Sequence, residues 1–170
     1  MKQALLEAYR AMGTTGKNPN VGCVLVKNNF IIARARTSPG GRPHAEENLI
    51  SQLSKTELKG SSLFVTLEPC AHKGKNGTSC AELISNSGIK EVFISNYDPD
   101  LRTSGKGLEI LRKSKIHVYT DFLINEGHDL NIGYLTNFSS NRPFVTIKFA
   151  ISLDGKIALK NKNSKWISNE

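Results

Sequence analysis

The sequence predicts an α/β fold in which one sheet is covered by helices on both faces. Short apolar segments typical of strands alternate with amphipathic segments typical of helices throughout residues 1–140. Residues 63–67 are almost wholly apolar, which favours a central strand buried on both sides. With 170 residues, 38% of them hydrophobic and 22% charged, the chain can form one globular domain with a substantial core.

Turn and helix-boundary residues define the first half of the fold. Gly13 ends a helix whose apolar residues have helical spacing, and Asn28-Asn29 suits a hairpin turn between two strands. Pro43 has a fixed φ that suits the first turn of the next helix. The predicted elements are a helix at 2–12, strands at 21–27 and 30–36, a helix at about 44–54 and a strand at 63–67.

A capping box defines the second half. Ser79 and Glu82 have the spacing at which each side chain caps the other's backbone N–H, so a helix should begin at Cys80 and end near Gly88. The remaining predicted elements are a strand at 92–95, a helix at 105–114, a strand at 116–120 and a helix at 122–137.

Residues 141–170 differ from the rest of the chain. Asn141-Arg142-Pro143 has the composition of a linker, and residues 145–151 then alternate apolar and polar side chains, as a strand with one apolar face does. We therefore predict one domain at 1–140, followed at 141–170 by a linker and the incomplete beginning of a second domain.

Charge and cysteine content restrict the function only loosely. The net charge of +8 is divided equally between residues 1–140 and 141–170, and a modest positive field suits a phosphorylated small molecule as well as RNA. No segment has the apolar length of a membrane span, and the first residues lack a signal-peptide core, so we expect no membrane partner. The three cysteines favour a reducing cytoplasm, with Cys23 as a buried apolar residue.

Three zinc ligands and one acidic residue form the predicted active site. His44, Cys70 and Cys80 supply an imidazole and two thiols, which suit Zn²⁺, and three protein ligands leave a fourth position for water. The order His-x-Glu, Pro-Cys and Cys is the pattern of zinc-dependent deaminases, in which the Glu is not a ligand. Glu46 is therefore predicted to take a proton from the water as it attacks an amidine carbon, and to pass it to the departing amine.

Other histidines and acids near these motifs have alternative interpretations. His72 lies two residues from Cys70 and could act as a fourth ligand, which would make the zinc site structural. Glu68 is more simply interpreted as a buried, hydrogen-bonded carboxylate than as a second base. We interpret His117 and His128 as ordinary core or surface histidines.

Several motifs resemble, in order, those of the bifunctional riboflavin-biosynthesis deaminase/reductase family. Residues 142–158 and 164–168 resemble the opening of its reductase domain, so the resemblance covers nearly the whole chain. The deaminase motifs are Asn18-Pro19-Asn20-Val21-Gly22-Cys23-Val24, Pro43-His44-Ala45-Glu46, the segment 65–74, Cys80-Ala81-Glu82-Leu83-Ile84 and Asp98-Pro99.

This resemblance implies a cytidine deaminase-like, three-layer α/β/α domain that uses Zn²⁺. It implies a substrate that is a diaminopyrimidinone bearing a phosphoribosylamino group and that loses a ring amino group as ammonia. It further implies that Asn18 and Glu46 hold the pyrimidine, while His72 and Lys75 lie toward the ribose phosphate, which keeps His72 off the zinc. NADPH belongs to the complete reductase domain of the family, and we expect no reductase activity from residues 141–170.

The chain departs from the family pattern near this site. Thr37 stands where the family usually has a His, and nine residues, one more than usual, separate Cys70 from Cys80. Asp100 occupies the position of an Asn near the phosphate. We expect its negative charge to repel that group.

Two other functional classes share part of this pattern. A nucleoside or tRNA deaminase would share the zinc chemistry, and a non-catalytic, zinc-stabilised remnant would share only the metal site. An enzyme that flips a base out of RNA should carry aromatic and basic surface, whereas aromatic residues make up only 7% of the chain. We therefore favour a phosphorylated small-molecule pyrimidine as the partner, with no nucleic acid, and leave the formation of a homo-oligomer open.

Overall fold

A five-stranded mixed sheet forms the centre of the protein, whose computed structural model describes residues 1–73, 77–140 and 142–162. The strands are β1 (Gly22–Lys27), β2 (Phe30–Arg36), β3 (Ser62–Leu67), β4 (Glu91–Asn96) and β5 (His117–Tyr119). Their order in the sheet is β2-β1-β3-β4-β5. β1 is antiparallel to both β2 and β3, whereas β3, β4 and β5 run parallel.

Helices cover the sheet on both faces, which confirms the predicted α/β/α sandwich. The helices are α1 (Lys2–Tyr9), α2 (Ala45–Ile50), α3 (Lys55–Leu58), α4 (Cys80–Ser85), α5 (Lys106–Lys113), α6 (Ile124–Leu130) and α7 (Ile132–Ser140), with a short 3-10 helix at Pro39–Gly41. One layer contains α2, α4 and α5, with α4 in contact with the other two, and the other contains α1 against α6.

The main core lies between the sheet and the α2–α4–α5 layer. Alternate residues of β3 point into it, as the two-residue period of a strand requires. Its members include Leu63 and Val65 from β3, Leu49 from α2, Ile84 from α4 and Leu111 from α5.

On the opposite face, α1 packs directly against the backbone of β1. A Cβ at Gly22 would lie 2.1 Å from the carbonyl oxygen of Ala4 and 2.4 Å from the amide nitrogen of Ala8. Only glycine therefore permits this close approach, which fixes the start of β1 beneath α1.

Two local predictions are confirmed in detail. Asn28 and Asn29 have φ angles of 50° and 64°, which are the positive values that a two-residue hairpin turn of type I′ requires. At the start of α4, Ser79 N–H donates to Glu82 Oε2 at 2.8 Å and Glu82 N–H donates to Ser79 Oγ at 3.2 Å. This reciprocal cap begins the helix at Cys80, as predicted.

Two predicted helices were wrong in extent. The helix predicted at 44–54 is the shorter α2, which begins after Pro43 and its cap residue His44, and a separate capping box at Ser54 begins α3. The helix predicted at 122–137 is divided at Asn131. The Asn131 amide accepts from the N–H of Asn20 at 2.8 Å and donates to its carbonyl at 3.0 Å, so this residue serves a distant loop.

The predicted strand at 145–151 was also wrong. Residues 142–162 contain no helix or strand, because no segment among the described residues pairs with them. Nearly all their side chains are exposed, and the apolar ones include Val145, Ile147 and Phe149. In the described part of the chain, no helix has both the length and the apolar character needed to cross a membrane.

Candidate metal centre and adjoining cleft

Three predicted ligands meet at the ends of three different elements. His44 caps the start of α2, Cys70 follows the end of β3 by three residues, and Cys80 is the first residue of α4. Glu47 Oε2 accepts a hydrogen bond from the backbone N–H of His44 at 2.7 Å, which fixes the backbone of His44 at the start of α2. The metal-binding atoms of the three predicted ligands all lie within 4.8 Å of one another.

Their distances fit a tetrahedral zinc site. His44 Nδ1 lies 3.4 Å from Cys80 Sγ and 3.6 Å from Cys70 Sγ. A tetrahedron with zinc bonds of about 2.3 Å to sulfur and about 2.05 Å to nitrogen has edges of roughly 3.5–3.8 Å. The imidazole and two thiols are also the donor types that zinc prefers.

The surroundings favour the metal-binding form of one thiol. Hydrogen bonding with Cys80 outweighs burial and, together with His44, lowers the pKa of the Cys70 thiol to about 4. The backbone N–H of Cys80 also donates to Cys70 Sγ at 3.4 Å. A thiolate, which is the form that binds metals, is thus stabilised at Cys70.

His72 lies beside the centre without joining the group of candidate ligands. Within the described ranges, that group comprises only His44, Cys70 and Cys80. His72 Nδ1 is instead 3.3 Å from Thr103 Oγ1, on the loop after β4. The three-ligand arrangement therefore matches an open zinc site better than a closed structural one.

Glu46 is buried next to this centre. It is the second residue of α2, is only 3% exposed and lines a cleft together with His44 and Cys70. Burial raises the pKa of Glu46 to about 7. A carboxyl group that gains and loses a proton near neutral pH is suited to general acid–base catalysis.

The cleft encloses about 320 Å³, part of it open to solvent. Asn18 lines it and is held against the 3-10 helix at Gly41, where an added Cβ would lie 2.0 Å from Asn18 Nδ2. Thr37 also lines it, buried, and its hydroxyl oxygen accepts from the N–H of Val21 at 3.2 Å. The Thr37 side chain thus bonds to the backbone just before β1, and it is much smaller than the histidine that the family usually has here.

Glu68 is a buried, hydrogen-bonded carboxylate, as interpreted from the sequence. Its Oε1 accepts from the N–H groups of Gly107 and Leu108 at 3.0 and 3.3 Å, and its Oε2 accepts from that of Gly105 at 3.1 Å. Burial nevertheless raises the pKa of Glu68. The carboxylate joins the end of β3, which leads to Cys70, to the start of α5.

Asp98 also lines the cleft, although its place in the Asp98-Pro99 motif did not predict a role for it. Its Oδ1 accepts from the hydroxyl of Tyr134 at 2.9 Å and from the N–H of Asp100 at 3.0 Å. Burial raises the pKa of Asp98, and these hydrogen bonds oppose that rise. Asp98 follows the end of β4, and Cys70 follows the end of the neighbouring parallel strand β3. Because the carboxyl ends of parallel strands lie at the same edge of a sheet, this position could have indicated that Asp98 lies near the metal ligands.

The residues predicted to face the phosphate are only partly placed. His72 is half-buried beside the metal ligands, and Asp100 is buried in the loop after Asp98. Lys75 lies outside the described residues. The Asp100 carboxylate, which we predicted to repel the phosphate, is paired with the guanidinium of Arg102.

Comparison with known proteins gives consistent matches. Residues 1–96 match the model of the cytidine and deoxycytidylate deaminase zinc-binding region. The whole chain is 40% identical to "Riboflavin biosynthesis protein RibD" of Aquifex aeolicus and 42% identical to that of Bacillus amyloliquefaciens, covering 47% and 45% of these proteins. The chain therefore spans about half the length of the curated relatives it matches.

A solved structure gives the same result for the fold. The diaminohydroxyphosphoribosylaminopyrimidine deaminase/5-amino-6-(5-phosphoribosylamino)uracil reductase from Thermotoga maritima superposes with a TM-score of 0.91 at 42% identity. The match covers 99% of this chain and 48% of that one.

Proposed function

Because the chain belongs to the cytidine and deoxycytidylate deaminase zinc-binding family, we propose that it deaminates a phosphoribosylated diaminopyrimidine hydrolytically, as a step of riboflavin biosynthesis. The products are the corresponding aminouracil and ammonia. The observation that carries this proposal is the convergence of His44, Cys70 and Cys80 beside the buried Glu46 in one cleft. Similarity to RibD over the whole chain supports this choice of substrate.

His44, Cys70 and Cys80 would hold a zinc ion in the proposed reaction. When bound, zinc supplies the Lewis acidity that activates a water molecule as a nucleophile near neutral pH. Glu46 accepts a proton at its carboxylate as that water attacks the ring carbon bearing the amino group. It then donates the proton to the departing amine, so that ammonia leaves and a carbonyl remains.

The cleft residues divide the remaining work of binding. The Asn18 amide and Glu46 hold polar edges of the pyrimidine, since an amide supplies both hydrogen-bond donors and acceptors. His72 and Lys75 lie toward the ribose phosphate in this proposal. The thiols of Cys23, Cys70 and Cys80 are all free, which suits our proposal that the enzyme acts in a reducing cytoplasm.

Ammonia release tests the proposal directly. Purified, zinc-loaded protein should release ammonia from the phosphoribosylated diaminopyrimidine and not from cytidine or tRNA. Release from cytidine or tRNA alone would assign the chain to the alternative deaminase class. If zinc-loaded protein acts on none of the three, the metal site is structural and the proposed activity is wrong.

A further inference from the structure

An exposed arginine is held by a buried carboxylate in the loop after β4. Arg102 Nε donates to Oδ1 and Oδ2 of Asp100 at 3.0 and 2.9 Å, and its Nη2 donates to Oδ2 at 2.5 Å. The side chain of Asp100 is 8% exposed, whereas that of Arg102 is 68% exposed. A guanidinium carries five N–H donors, so this pairing leaves donors for a further acceptor in a fixed orientation.

The pair is connected to the cleft through Asp98. The N–H of Asp100 donates to Oδ1 of Asp98, which lines the cleft with Glu46. Thr103, which follows Arg102, contacts His72 through its hydroxyl. The loop that carries Arg102 is therefore bonded on one side of this residue to Asp98 of the cleft and on the other to His72.

The loop does not need this guanidinium to close its turn. The backbone N–H of Arg102 already donates to Asp100 Oδ1 at 2.9 Å, and those of Thr103 and Ser104 donate to the Asp100 carbonyl at 2.7 and 2.8 Å. The guanidinium instead offsets the charge of Asp100 beside a second carboxylate, Asp98. Without it, the two carboxylates of this loop would repel an anionic substrate group bound beside them.

We propose that Arg102 is a specificity-determining residue that binds the phosphate of the substrate, and that Asp100 positions its guanidinium for this contact. The proposal rests on the proposed function, since it requires a phosphorylated substrate in the cleft. A planar fork that is already oriented matches phosphate oxygens well, because little side-chain freedom is lost on binding. Asp100 thereby becomes a positioning residue, and its charge no longer opposes the phosphate.

Kinetics with two substrates test the role of Arg102. Arg102→Gln should raise KM for the phosphorylated substrate roughly tenfold, the effect of losing one charge-assisted hydrogen bond, and leave its kcat unchanged. KM for the dephosphorylated analogue should not change. Arg112→Gln makes the same substitution in the last turn of α5, away from the cleft, and should leave both values unchanged.

The outcomes separate this proposal from the function on which it rests. If the wild-type protein releases no ammonia from the phosphorylated substrate, both are refuted. If it does so and Arg102→Gln shifts KM equally for both substrates, or for neither, only the phosphate contact is refuted. Arg102→Lys keeps the charge without the fork and should give an intermediate KM.

A double-mutant cycle tests the positioning role of Asp100. Asp100→Asn should raise KM for the phosphorylated substrate several-fold in the wild-type background and have no such effect in the Arg102→Gln background. Equal rises in both backgrounds would refute positioning through Arg102. A fall in KM in the wild-type background would support direct repulsion by Asp100 and also refute the proposal.

Discussion

Tyr134 donates its hydroxyl to Asp98 Oδ1 across 2.9 Å, so that α7 is bonded directly to a carboxylate lining the cleft. Asp98 is buried and its pKa is raised, which means that holding its charge depends on the hydrogen bonds that it accepts. The helix that precedes residues 142–162 therefore takes part in shaping the cleft.

Removing this hydroxyl should destabilise the protein in a pH-dependent way. Tyr134→Phe should lower the free energy of unfolding by about 1.5–3 kcal/mol at neutral pH, where the bond is made to an ionised group. It should also raise the pKa of Asp98 further, so the loss grows as pH rises through that pKa and shrinks in acid, where the carboxyl is protonated. Urea unfolding at several pH values measures the effect.

Tyr9→Phe provides the control, because Tyr9 is exposed on α1. It should change the free energy of unfolding by less than about 0.5 kcal/mol at every pH. A Tyr134→Phe loss that is the same in acid and at neutral pH would contradict a bond to the ionised form of Asp98.

Zinc content should depend on the three assigned ligands. We expect one zinc ion per chain by elemental analysis, and loss of that zinc in Cys70→Ser and Cys80→Ser. Chelation should lower the melting temperature, because zinc binds the folded state preferentially. The matched control Cys23→Ser, at a buried thiol in the core, should keep its zinc. Zinc loss in His72→Asn would contradict the three-ligand assignment.

Glu46 should be essential for turnover and dispensable for metal binding. Glu46→Gln removes the proton carrier and keeps the size of the side chain, so kcat for ammonia release should fall by roughly 10²–10⁴-fold while zinc content is retained. Glu109→Gln, at an exposed site on α5, is the control. Near-wild-type turnover by Glu46→Gln would show that another group moves the proton.

Glu68 should contribute strongly to stability. Glu68→Ala leaves the N–H groups of Gly105, Gly107 and Leu108 without their acceptor, and should lower the free energy of unfolding by about 3 kcal/mol or more. Urea unfolding measures this loss. Glu91→Ala, which removes a single bond from Ser62, should cost much less. Similar losses in the two variants would mean that water replaces Glu68.

Removing residues 141–170 should leave the metal centre intact. The described part of this segment contains no helix or strand, and its nearest approach to the domain in the described residues is Phe144 beside Gly133 and Thr136 of α7. Zinc content and ammonia release should therefore be unchanged, and the free energy of unfolding should change by less than about 1 kcal/mol. Unfolding of the shortened chain would show that the domain boundary predicted at 140 is wrong.

Local signals in the sequence predicted the elements that local interactions determine. The Asn28-Asn29 turn and the Ser79–Glu82 cap involve residues only one and three positions apart, so their residue types were sufficient. The ligand group was predictable because zinc accepts few side-chain types. The pairing of Arg102 with Asp100 was not predictable, although the two residues are close in the sequence. Many side-chain conformations are open to an arginine, and residue type alone does not select the one that reaches Asp100.

Long-range contacts account for the larger errors. Asn131 divides a predicted helix because its amide bonds to Asn20, and nothing near Asn131 in the sequence indicates that partner. Residues 145–151 have the alternation of a strand, but a strand also needs a neighbour to satisfy its backbone groups, and the described residues supply none.

The hydrogen bonds between Asn131, which separates α6 from α7, and Asn20 also affect the order in which parts of the site form during folding. Asn131 and Asn20 are 111 residues apart, whereas His44 and Cys80 are separated by 36. Because closing a long loop costs more entropy, we expect the ligand group to assemble before the loop carrying Asn18 is fixed. In pulsed hydrogen exchange during refolding, the N–H of Cys80 should gain protection before that of Asn20. A nascent chain could thus capture its metal while the substrate side of the cleft is still unformed.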